Sequence, residues 1–405
     1  MTAELGIGDR IAWYRRRRGI PQEALAGLVG RTADWLSKVE NNRIALDRLS
    51  VIRNLADALG VQLHDLLGDQ AAVGHRRADL ADALASVRES LTDYRTVSPL
   101  LRRPADEAPI DLNTLGTRLR TAWDATQDAR YSTIAPGLAK LLADAHHAAK
   151  EHSGDEQLRA YALLAMVHQL TATVLTRTGE AELAWIAADR GLSAAHLSGD
   201  EFVIGSLFRS VAHCLLGSGR LTAAQDLVTD AACYLRNADG LNSPAGLSVY
   251  GTLLFVGSMA AARSGDRIGV RGWLAESSQA AERLGTDANH LWTAFGPTNV
   301  AIHRVSTAME LGDLQVALDI GPQIDVSSLP VERQVRHRLE LARAHHARHE
   351  VNAAVQILLD AERLAPDQVR HHFIPQKLVA TWIRAQRGRP RPELAGLAQR
   401  LKIVE

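Results

Sequence analysis

Aromatic residues make up only 4% of the 405-residue chain, and cysteine occurs twice, at Cys214 and Cys233. Runs of β-branched residues are rare too, while Ala and Leu abound, so the sequence lacks the material of packed sheets and favours helices. An all-α protein is expected. Two cysteines with no paired metal spacing and no secretory context exclude a disulfide framework or a zinc cluster; they read as small buried packers in a reducing cytoplasm. Net charge is absent as well: 46 basic residues balance 46 acidic ones, so any nucleic-acid affinity must come from a local patch. No N-terminal basic stretch leads into an apolar one, and no run approaches the roughly 18 apolar residues of a membrane span, which implies a soluble, untargeted, cytoplasmic protein. Phosphate-binding glycine loops, a nucleophile elbow and paired carboxylates are also missing, and with them the expectation of an enzyme or a cofactor.

What is present divides in three. Residues 1–69 read as five short helices: one to about Arg18, stopped by Gly19; a second from Pro21-Gln22 to Gly30, with proline where its missing N–H is harmless; a third capped by Thr32, supported by Leu36 and Val39 and ended at Asn41-Asn42; then 46–59 and 62–67. Residues 70–111 form a connector, with a helical pattern from His75 to Tyr94 and three prolines in "SPLLRRPADEAP".

Residues 112–405 look like one array. Gly179, Gly219, Gly265, Gly312 and His349 fall in register in "TRTGEAELAW", "LGSGRLTAAQ", "ARSGDRIGVR", "MELGDLQVAL" and "HARHEVNAAV". Five residues past each comes Ala184, Ala224, Val270, Ala317 or Ala354, and seven further on Gly191, Ala231, Ser277, Ile324 or Ala361. A matching row precedes each turn: Ala172, Ala212, Ser258, Val305 and Ala342. Small residues on facing helices allow close approach, so each unit is expected to be an antiparallel hairpin stacked on the next. An earlier pair, 115–127 and 136–151, begins the array and a helix over 367–387 caps it.

Gln22, Ala26, Gly30 and Glu40-Asn41 lie where the phage-repressor-like (XRE-type) helix-turn-helix regulators carry a helix-opening glutamine, a crossing alanine, the turn glycine and a terminal "EN", and the first 60 or so residues resemble that family. The resemblance implies a third helix facing the DNA major groove with Thr32, Ala33, Asp34 and Lys38. Lys38 suits guanine O6 or N7, Asp34 cytosine N4, and Ala33 or the Thr32 methyl a thymine methyl. Gln22, Thr32 and Arg43 are expected on phosphates, and Arg31 and Asn41 complete the set. "RRRR" at 15–18 reads equally as added backbone charge or as a solvated helix end.

The array resembles tetratricopeptide repeats, which implies a right-handed superhelix. Carrying the family's groove positions over gives Gln169, Thr173 and Arg177; Arg209 and His213; Phe255, Met259 and Arg263; Asn299 and His303; Arg336, Glu340 and Arg343. The five arginines would favour an acidic or carboxylate-ended ligand, and Asn299 would clamp an extended backbone. "HLWTAFGPTNVAIH" adds Trp292 and either starts a helix at Pro297 or kinks one into a pocket. His345 and His349 stand four apart, but the register places one in packing and the other at the turn, so no metal is expected. Together the two resemblances imply a cytoplasmic regulator, similar to those of Gram-positive bacteria, that binds double-stranded DNA as a homodimer on an inverted repeat and senses a peptide or small molecule. Scarce lysine with abundant Ala, Arg and Asp points to a GC-rich actinobacterial source, where such proteins accompany secondary metabolism or development. The alternative is a repeat protein acting on transcription through a protein partner, without an effector.

Overall fold

The computed structural model describes residues 7–41, 46, 49–61, 66, 77–93, 110–237, 240–385, 390–401 and 403. Among them are 20 α-helices and no strand beyond one isolated bridge, Ala288 to Phe295. The chain divides into two compact units, one up to Arg77 and one from Ala78 to Leu401.

The first unit contains α1 (Ile7–Arg17), α2 (Gln22–Leu28), α3 (Ala33–Glu40) and α4 (Leu49–Leu59). Its core is Ile11, Leu25, Ala26, Leu36, Val39, Ile52, Leu55 and Leu59, the apolar stripe of each helix turned inward, with Leu46 and Leu66 also buried. The fifth expected helix and Asn42 lie outside the described residues apart from Leu66. Gly19 and Gly30 both adopt left-handed backbone (φ +66° and +65°), which ends α1 and α2 within a residue or two of the predicted stops.

The second unit begins with α5 (Arg77–Thr92), whose Val87 and Leu91 are buried in one core with Leu112 and Leu115; this part of the 70–111 connector packs as a component of the array. The array itself runs α6 (Leu112–Gln127), α7 (Tyr131–Glu151), α8 (Gly154–Thr178), α9 (Ala181–Ser198), α10 (Glu201–Gly217), α11 (Leu221–Asn237), α12 (Pro244–Ser264), α13 (Arg267–Leu284), α14 (Pro297–Leu311), α15 (Leu314–Ile320), α16 (Val331–Ala347), α17 (Val351–Leu364), α18 (Pro366–His371), α19 (Phe373–Ala385) and α20 (Pro392–Arg400). The registered turn residues all take positive φ: Gly179, Gly219, Gly265, Gly312 and His349, joined one hairpin earlier by Ala129. At each, the next amide returns to the carbonyl five residues back, as in Glu180 to Leu175 and Glu350 to His345, both at 2.9 Å, and so satisfies a helix-end carbonyl. The small rows on the facing helices are buried throughout, from Ala172, Ala212, Ser258, Val305 and Ala342 to Ala184, Ala224, Val270, Ala317 and Ala354.

Four expectations need correction. Ile324 is not on a helix: α15 stops at Ile320 before a short 3-10 turn at Gly321–Gln323, because Pro322 cannot continue the ladder. The single capping helix is two helices broken at His372, since the Pro375 ring would meet the His371 carbonyl; α20 then follows. Cys214 is half-buried and packs against the core, but Cys233 is exposed, so only the first is a packing residue. Finally, α8 and α12 are long and apolar enough by composition to cross a membrane, but 67% and 89% of those windows are buried inside the protein, which makes them its central core helices.

Candidate nucleic-acid interface and inner wall of the array

Glu40, at the end of α3, fixes that helix in the bundle. Its carboxylate accepts from Arg15 Nε at 2.5 Å and Nη2 at 2.8 Å and from Gln22 Nε2 at 2.7 Å, while Arg15 Nη1 donates to the Ile20 carbonyl. One buried carboxylate thus ties the ends of α1 and α3 to the start of α2. The Arg15 guanidinium is held above its ordinary pKa first by the Glu40 hydrogen bond. Gln22, expected on a phosphate, has its amide N–H engaged inside the bundle. The arginine run is likewise divided: Arg15 is internal, Arg17 lies over Trp13 at 5.0 Å, and Arg18 donates to the Gly60 carbonyl.

On the outer face of α3, Thr32 caps the helix by accepting from the Trp35 amide at 3.2 Å. Asp34 and Lys38 are exposed and paired at 2.6 Å, one turn apart. Arg31 lies over the Trp35 ring at 5.6 Å, Ala33 is half-buried, and the exposed Asn41 donates to the Ser37 carbonyl. Arg43 lies outside the described residues. The Asp34–Lys38 contact is exposed and worth about 0.3–0.5 kcal/mol, so either group gives up its partner at little cost.

In the array, several transferred groove positions are occupied internally. Gln169 is fully buried and donates to the Ser206 carbonyl and hydroxyl at 3.0 and 2.6 Å, joining α8 to α10. Thr173 bonds back to the Gln169 carbonyl. Asn299 is fully buried and donates to the Ala294 carbonyl at 2.8 Å, which holds the loop before α14 and leaves it no access to a ligand backbone. That loop resolves the Gly-Pro question: α14 starts at Pro297, and no kinked helix exists there. Phe295 is buried against Gly251, where a Cβ would fall 1.9 Å from the ring, and Trp292 stacks on Trp123 with centroids 5.3 Å apart. Leu291, Trp292 and Ala294 all have φ near +50°, strain held in place by those contacts. Phe255 is buried and stacks on His303 at 3.7 Å, and Met259 packs against the core. Burial holds His303 neutral, its pKa lowered to about 3, although its Nδ1 meets the Asn299 carbonyl at 2.9 Å.

The charged positions form a wall. Arg177 pairs with Glu332, and Arg333 Nε lies 3.5 Å from the same carboxylate. Arg343 bridges Glu340 at 2.6 Å and Glu310 at 3.5 Å; Arg336 lies 3.8 Å from Glu340; Arg263 lies 3.7 Å from Glu310 and donates to the Leu216 carbonyl. Burial alone would raise the Glu332 pKa, but Arg177, Arg333 and Arg336 outweigh it and pull it down to about 2. Arg209 is 8% exposed with its Nε unpartnered, while His213, one turn on, is open to solvent. Glu332, Arg333, Glu310 and Tyr131 were not anticipated. Arg333 precedes Arg336 by one helical turn, so the spacing could have flagged it; Tyr131, which arrives from α7, left no signal in the sequence.

Residues 7–67 match the family model described as a helix-turn-helix domain. No curated protein matches the chain in sequence. Among solved structures, the chain is similar to aspartyl phosphate phosphatase F from Bacillus subtilis, at 12% identity and a TM-score of 0.44 over 93% of this chain and 97% of that one. It is also similar to PlcR from Bacillus thuringiensis, solved in complex with the peptide PapR7 and DNA, at 12% identity and a TM-score of 0.28 over 69% of this chain and 95% of that one. The N-terminal unit is thus a helix-turn-helix domain, followed by an all-α array of helical hairpins.

Proposed function

We propose that this helix-turn-helix protein is a sequence-specific transcriptional regulator of the XRE type, reading an inverted repeat as a homodimer in the cytoplasm. Its hairpin array acts without catalysis, as a sensor of a small acidic molecule and as a dimerisation element. The observation that carries the reading is α3: its base is locked by Glu40, and its outer face presents Thr32, Asp34 and Lys38 to solvent with only a weak mutual pair between the last two. A rigid helix with exposed, exchangeable donors and acceptors is what direct readout requires. Two such heads on half-sites about one DNA turn apart would supply the affinity that one small domain lacks.

Burial of Asn299 argues against an extended peptide clamped along the groove and favours a compact ligand at the arginine wall. The same burial is the specific support for the second reading, in which the array docks a protein partner and needs no effector. Selection of bound DNA by the full-length protein at controlled salt tests the proposal. An enriched inverted repeat whose base preference is lost in Lys38→Ala is the expected result; no enrichment would overturn DNA reading and leave the partner-docking alternative.

A further inference from the structure

The loop before α14 is pinned at its base and fastened at its tip to a helix far earlier in the chain. At the base, the Ala288 amide donates to the Phe295 carbonyl at 2.8 Å, the Thr298 amide to Asp287 at 3.1 Å and the Asn299 side chain to the Ala294 carbonyl, and the Phe295 ring is fully buried. The tip, residues 289–293, reaches α6. Asn289 and Gln127 exchange two side-chain amide hydrogen bonds, at 2.7 and 3.0 Å, and Gln127 Nε2 also donates to the Trp292 carbonyl at 3.3 Å, across 165 positions of sequence. The half-buried Trp292 ring lies on the buried Trp123 ring, 10° from parallel, and Leu291 beside it packs against both neighbouring cores.

This docking is strained and incompletely bonded. Leu291, Trp292 and Ala294 hold left-handed backbone, which residues with a Cβ resist. An indole N–H lies in the plane of its ring, so the stack gives the Trp123 N–H no acceptor, and that group is buried without a partner. The array is closed independently by the Arg177–Glu332 and Ser132–Asp367 pairs, so the tip can leave α6 while the frame around it stays shut. We propose that residues 289–293 are a lid seated as an internal ligand on the Trp123–Gln127 face of α6, and that this face binds a planar aromatic molecule carrying an amide. The tip itself defines the chemistry: a flat ring on Trp123, and a carboxamide that both donates to Gln127 and accepts from it. A ligand of that class repeats these contacts without the left-handed backbone and so displaces the lid. Nothing in this site requires the arginine wall or an acidic effector.

The test is calorimetric titration of the full-length protein with N-acetyl-tryptophanamide, which carries an indole and amides, and with N-acetyl-leucinamide, which keeps the amides and lacks the ring. Trp292→Gly removes the lid's ring and its left-handed strain, and apparent affinity scales with the fraction of molecules whose site is open. N-acetyl-tryptophanamide should therefore bind Trp292→Gly about tenfold or more tightly than it binds the wild type, and N-acetyl-leucinamide should bind neither. Adding Gln127→Leu to Trp292→Gly should weaken the aromatic probe about tenfold, the worth of the lost amide pairing. Equal affinity for the wild type and Trp292→Gly, no binding to either, equal binding of the two probes, or full affinity retained with Gln127→Leu overturns the site. Should Trp292→Gly fail to fold, Asn289→Ala decides: it frees Gln127 and leaves both rings in place, so it must tighten binding of the aromatic probe, and unchanged binding overturns the site.

Discussion

Glu40→Gln removes the charge that Arg15 and Gln22 share. The wild-type carboxylate accepts three hydrogen bonds, at 2.5, 2.8 and 2.7 Å, and the Arg15 and Glu40 side chains are 11% and 3% exposed, so water screens little of the interaction. Taking one partner from such a pair costs roughly 3–5 kcal/mol; an amide keeps one acceptor for Arg15, so about 3 kcal/mol is expected. At 1.4 kcal/mol per factor of ten, amide hydrogen exchange limited by opening of the bundle should accelerate about 100-fold across 7–41, while α8 and α12 exchange at wild-type rates. The loss is electrostatic, so a paired Arg15→Met, Glu40→Leu variant, which replaces the ions with apolar chains of similar length, should recover most of the protection. Exchange within twofold of wild type in Glu40→Gln would refute the assignment of Glu40 as the fastener of α3.

Other outcomes are fixed by other parts of the structure. Lys38→Ala should leave stability within about 0.5 kcal/mol, since its pair with Asp34 is exposed, yet lower affinity for the best operator by roughly 1–3 kcal/mol, read by titration against single-base operator variants. His349 occupies, at φ +63°, a turn that glycine fills in the four hairpins before it, so His349→Gly should raise the melting temperature. Gly312→Ala should lower it by a strain of about 1 kcal/mol, because nothing lies within 4 Å of the added carbon. Gly251→Ala would drive a methyl into the Phe295 ring and should cost about 1–3 kcal/mol in chemical denaturation; Gly251→Ala with Phe295→Leu should recover part of it. His146 and His168 face each other across 3.2 Å, and burial first, then nearby charge, depresses both pKa values, to about 4 for His146. Their unfolded forms bind protons below pH 6.5 and the folded forms do not, so stability should be full above that pH and fall as pH drops towards 4. His168→Leu should flatten that slope in melts between pH 7.5 and 5.

Local rules made much of this legible before any coordinates. The turn positions could be read because left-handed backbone selects glycine and because the hairpins recur, so that even His349, a poor residue for that conformation, was placed by register alone. Small residues at fixed offsets likewise marked the helix crossings. Reading failed where one residue answers to distant neighbours. Asn299 sits at a position that faces the groove in the repeat, but the loop before α14 folds over it and takes its amide. Gln22 looked free at a helix start, and only the arrival of Glu40 from 18 residues on engages it. The arginine wall was half visible: the transferred positions found Arg177, Arg209 and Arg336, while Glu332 reaches Arg177 from 155 residues further along the chain through tertiary contact alone.

That meeting has a consequence for how the array folds. A linear solenoid is held by nearest neighbours, so its repeats unfold piecemeal and its end units can be trimmed at a local cost. Here Arg177 holds Glu332 across 155 positions of sequence, and Ser132 holds Asp367 across 235 at 2.5 Å. Contacts of that span carry a loop-closure entropy that intervening hairpins must already have reduced by folding, so the early and late hairpins share one cooperative transition. The array should therefore melt as a single unit of high contact order, and deleting α18 to α20 would loosen α6 and α7, which they follow by more than 200 residues.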